Sequence, residues 1–127
     1  MSPRRFSIES DYEQFASWWS SRGLTPPAKS SLPPNGFTVP GVATLFIYLT
    51  DSPVAIVAWP TASPSSSRQE RRRALETLLF TIETEARERN YTHVLGMTMH
   101  ASLRDLFASR GYLAGDTGVT QYVKKVI

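Results

Sequence analysis

VATLFIYLTDSPVAIVAW, residues 42–59, is two strands and the turn between them. Apolar runs rich in β-branched and aromatic residues flank Thr50–Asp51–Ser52–Pro53, which predicts a hairpin over 42–49 and 54–59. Both runs are apolar on both faces. Each strand therefore needs cover above and below, which calls for helices on both sides of a sheet and not for an open sandwich face.

Downstream, the small-residue loop TASPSSS (61–67) leads into RQERRRALETLL (68–79). Ser67 with Glu70 three residues later makes a capping box, and Ala74, Leu75, Leu78, Leu79, Ile82 and Ala86 share one face at 100° per residue. A long amphipathic helix to about Asn90 follows. Its first turns carry Arg68, Arg71, Arg72 and Arg73, although cations there oppose the helix dipole by roughly 0.3–1 kcal/mol each unless an anion compensates. Two readings stand: an anion site, or a solvated charged turn softened by Arg72–Glu76 at i,i+4.

Upstream, Ser10 with Glu13 predicts a helix through about Arg22, ended by Gly23 and Pro26–Pro27. Tyr12, Phe15, Ala16 and Trp19 form its buried stripe, with Trp18 beside it at the core edge. Residues 25–41, framed by proline pairs, read as a long loop with one helical turn at 28–32, a length typical of binding loops and lids. Beyond the long helix, YTHVLGMTM (91–99) reads as a strand, Ser102 caps a short helix over 103–110 closed by Gly111, and GVTQYVKKVI (118–127) reads as an alternating final strand. The order predicts an α/β (α+β) domain spanning 1–127, with a mixed, mainly antiparallel sheet flanked by helices.

Composition narrows the chemistry. With no cysteine among 127 residues there is no disulfide, thiol nucleophile or thiolate metal site, which fits a reducing cytoplasm. Only His93 and His100 could offer imidazole, and no carboxylates cluster around them, so no metal site is expected. No apolar run is long enough for a membrane span and no signal peptide opens the chain, which places the protein in the cytoplasm. The net charge of +3 is concentrated: residues 1–66 hold four basic and four acidic residues, and residues 67–127 hold ten against seven. That argues for a local anion site and against nucleic acid, which would want a second basic element and a stacking series.

The chain resembles the GNAT superfamily of acyl-CoA-dependent N-acetyltransferases along its whole length. The family's cofactor loop, Q/R-x-x-G-x-G/A, is matched by QERRRA, with Gln69 first and Ala74 last but Arg72 at the middle glycine. HASLRDLFASRGY places His100, Phe107, Gly111 and Tyr112 at the spacing of the family's Asn, Tyr and Gly-Phe positions. DYEQFASWWSSRG, LPPNGF and FIYLTDS also resemble a short, bacteriophage-type GNAT-like subgroup.

The resemblance implies acetyl-CoA as co-substrate and an amine acceptor, small molecule or protein. It implies an oxyanion contact from a backbone N–H near Trp59 or Thr61, where a bulge splays the strand. It also implies an anion clamp of Arg68, Arg71 and Arg72 beside Gln69 and Ala74, in place of a glycine-built nest. Phe107 cannot donate a proton where the family has its general-acid tyrosine, so that role falls to His100 or Tyr122, with Tyr112 read as a core aromatic. VAIVAWP contains no carboxylate to act as base. The alternative is a catalytically silent GNAT-fold protein that binds or inhibits a partner, such as a phage protein acting on a host protein. Phe80, an aromatic on the polar face of the long helix, hints at a self-contact.

Overall fold

The computed structural model describes residues 1–98 and 100–127, in two compact units, Met1–Met97 and Thr98–Ile127. The first unit holds a sheet of β1 (Arg4–Arg5), β2 (Gly36–Val39), β3 (Ala43–Leu49), β4 (Val54–Ala62) and β5 (His93–Gly96), in that spatial order. Every pair is antiparallel except β4 with β5. That parallel pair is joined by α2 (Arg68–Glu88), because parallel neighbours need a crossover. The expected mixed α/β class and central hairpin are present.

Two layers of cover explain why the hairpin is apolar on both faces. Phe46 meets Phe6 and Phe15 edge-on at 4.9 and 5.5 Å, so its side of β3 is the side of α1 (Ile8–Ser20). Alternation turns Leu45 and Ile47 to the opposite side, toward α2, whose Leu78, Leu79 and Ile82 are fully buried. The capping box at Ser67 and Glu70 forms as expected, with both reciprocal hydrogen bonds at 3.1 Å.

Several expectations need correction. The segment 25–41 is not all loop: its helical turn is the 3₁₀ turn Lys29–Ser31, and Gly36–Val39 is a fully buried strand. Flanking prolines hid it, and its order comes from β1 and β3 on either side. The first helix starts one turn earlier than Ser10. Ser7 is its N-cap, accepting from the Ser10 N–H, while Asp11 accepts the Ser7 N–H at 2.7 Å. Trp18 is 6% exposed and more buried than Trp19, so α1 is rolled toward its Phe15/Trp18 edge.

In the second unit, α3 covers Ala101–Ser109 with His100 at the N-cap, which leaves Ser102 inside the helix. Gly111 ends it at φ +87°. Residues 118–127 form no strand. Alternation makes a strand only where a neighbour takes up the backbone N–H and C=O groups, and the five-strand order ends at β5. β5 itself is shorter than 91–99, and the Met99 end of that expected strand lies outside the described residues. Among the described residues no helix is long and apolar enough to cross a membrane.

Candidate functional site

The site begins with an irregularity in β4. Ala58 pairs with Phe46 and Thr61 with Thr44, so Trp59 and Pro60 together stand opposite Leu45 alone. This is a β-bulge, at the position expected from the family resemblance. Pro60 has no N–H for a ladder, and Trp59 takes φ +54°, a left-handed backbone that large side chains rarely adopt.

Three contacts hold that conformation. The Trp59 indole N–H donates to the Tyr48 hydroxyl at 2.8 Å, and the Tyr48 hydroxyl donates to the Ser31 carbonyl at 3.0 Å. The Trp19 ring meets Trp59 edge-on, with centroids 6.0 Å apart.

Beside the bulge the β4–β5 ladder ends. β4 and β5 stay in parallel register from Val54 with His93 to Val57 with Gly96, whereas β4 continues to Ala62. Thr61 is 2% exposed, yet among the described residues its hydroxyl has no hydrogen-bond partner, and the Trp19 indole N–H shares that condition. Buried polar groups normally find partners, so these two are unpartnered donors close to the bulge.

Where β4 gives way to α2, two guanidinium groups converge. Arg71 donates to the Ser66 carbonyl, and Arg22, reaching from beyond the end of α1, donates to the Ala62 carbonyl at 2.8 Å. Partial burial lowers the Arg22 pKa first, and the positive charge of Arg71 lowers it further, so the two cations feel one another. Among the described residues neither has a carboxylate partner. Together with the N-terminal amides of α2 they make a junction that favours an anion.

Arg71 is half-buried at the junction, while Arg68, Arg72 and Gln69 are exposed, and among the described residues no ion pair joins Arg72 to Glu76. Ala74 is fully buried, packing the first turns of α2 onto the core. Arg22 escaped the sequence reading. The available signal was its spacing from Trp18, which sets it about one helical turn beyond the last buried residue of α1.

His100 and Tyr122 belong to the second unit. The His100 backbone N–H donates to the Thr98 hydroxyl at 3.0 Å, and its side chain makes no cap. Tyr122 is 88% exposed in an irregular segment, not on a strand. Phe107 packs on Tyr112 within that unit, with ring centroids 4.8 Å apart. Among the described residues no group of His, Asp and Glu side chains gathers as a metal site.

A separate cavity of about 380 Å³ opens between the 29–34 segment and the start of α1. Phe6, Ile8, Leu32, Pro33, Pro34 and Phe46 line it together with Lys29. No carboxylate lines it, and the Lys29 ammonium lies 5.3 Å over the Tyr12 ring.

No family model matches the chain, and no curated protein is similar to it in sequence. Solved structures do share its fold. TTHA1254 of Thermus thermophilus superposes with a TM-score of 0.72 at 14% identity, covering 100% of each chain. An aminoglycoside acetyltransferase from an uncultured soil metagenomic sample, solved with sisomicin, gives 0.70 at 13% identity, over 98% of this chain and 96% of that one. Rv2747 of Mycobacterium tuberculosis, solved in complex with CoA and NLQ, gives 0.67 at 16% identity, over 94% and 76%. The fold is that of GNAT-type acetyltransferases.

Proposed function

We propose that the protein transfers an acetyl group from acetyl-CoA to an amine. The observation that carries this reading is the β4 bulge at Trp59–Pro60, set where β4 and β5 lose their register and upstream of a helix N-terminus flanked by Arg22 and Arg71. The residues fit such a co-substrate. The two guanidinium groups and the first amides of α2 offer the charge-assisted donors that a diphosphate takes up, and the unpartnered Thr61 hydroxyl lies between junction and bulge.

In this reading the bulge turns the Trp59 backbone N–H, the one such donor in the Trp59–Pro60 pair, out of the ladder to polarise the thioester carbonyl. The ammonium form of the amine gives one proton to solvent, its nitrogen bonds to the carbonyl carbon, the C–S bond breaks, and the second nitrogen proton passes through water to the thiolate. No carboxylate of β4 serves as base, so positioning and carbonyl polarisation supply the rate enhancement.

Thermal melting with acetyl-CoA, paired with an assay for free CoA thiol over a panel of amines, tests the reading. At 100 times its Kd the ligand adds about 2.7 kcal/mol of stability. The double variant Arg22→Ala, Arg71→Ala loses most of the shift. No shift in the unaltered protein overturns the reading. A shift without thiol release on any amine favours the silent binding protein.

A further inference from the structure

The hydrogen-bond chain behind the bulge has a fixed direction. An indole N–H can only donate and a carbonyl can only accept, so the Tyr48 hydroxyl accepts from Trp59 and donates its own proton to Ser31. Tyr48 thus links the 3₁₀ turn Lys29–Ser31 to a tryptophan whose left-handed backbone is the bulge itself. Such a conformation persists in a large residue only where its surroundings over-determine it. Here the surroundings are the Tyr48 hydroxyl at one edge of the indole and the Trp19 ring at another. Tyr48 is neither on β4 nor at the cation junction, so it acts only through Trp59.

We propose that Tyr48 is a positioning residue for acetyl transfer, holding the Trp59 bulge in the geometry that polarises the thioester carbonyl and tying it to the 29–31 turn. The proposal rests on the acetyl-transfer reading above.

The test is Tyr48→Phe, which keeps the ring and removes the hydroxyl. Calorimetric affinity for acetyl-CoA stays within about twofold of the unaltered protein, because the cation junction is intact, while kcat falls by about tenfold or more. Trp59→Phe, which removes the donor, lowers kcat similarly. The double variant is no slower than the slower single one, since both break one link. Amide resonances of Trp59 and Thr61 move in Tyr48→Phe.

A kcat unchanged in Tyr48→Phe, a loss of kcat that follows a loss of acetyl-CoA affinity, losses that multiply in the double variant, or unmoved bulge amides each overturn the proposal and leave the acetyl-transfer reading standing. Absence of turnover in the unaltered protein overturns both.

Discussion

At Gly36 a hydrogen atom in place of a side chain is what admits Phe46 to the core. A Cβ there would lie 2.4 Å from Phe46 Cε1 and 2.5 Å from Cδ1. The ring cannot swing away freely, because Phe6 and Phe15 pin it and it is 1% exposed. Gly36→Ala therefore destabilises by about 1–3 kcal/mol through overpacking, read as a lower urea midpoint with unchanged slope. Asp11 makes a different residue-scale argument. Hydrogen bonds from Arg4 hold its carboxyl below the ordinary aspartate value, against partial burial, and the Ser7 N–H adds to the effect. A depressed carboxylate stabilises fully above its unfolded pKa and loses that contribution as pH falls through the lower folded value. Asp11→Asn should lower the melting temperature near neutral pH and flatten its decline on the acid side. The effect is modest, at most about 1 kcal/mol from the ion pair, because Arg4 is half exposed.

At the scale of the element, α2 is the helix whose local code and tertiary role agree. Its N-cap, its box partner Glu70 and its apolar face are all set by residues within four positions of one another, which is why they were legible in the chain. Ser67→Ala leaves the N3 amide without its cap and should cost about 1 kcal/mol, measured by thermal melting followed by circular dichroism. α1 was less legible. Its apolar residues fit more than one stripe, and packing against β4 selects the roll that buries Trp18, sets Trp19 against Trp59 and carries Arg22 to Ala62. β2 and the 118–127 segment fail in opposite directions. Gly36–Val39 is a strand without a strong local pattern because two neighbours complete its ladder. The alternating tail has the pattern and no partner strand.

Across the whole molecule, the division falls between short-range and long-range causes. The chain alone settled the class of fold, the central hairpin, the capped helix that follows it and the excess of cation at that helix's start. Each depends on composition or on neighbours a few residues apart, whose spacing is visible in one dimension. The assembled sheet settled the bulge, the end of the β4–β5 pairing beside it, the approach of Arg22 to Arg71, and the Trp59–Tyr48–Ser31 chain. Those depend on hydrogen-bond partners that lie 11, 17 and 40 residues apart along the chain. Only the register between strands and the roll of a helix can bring such groups within 3 Å of each other.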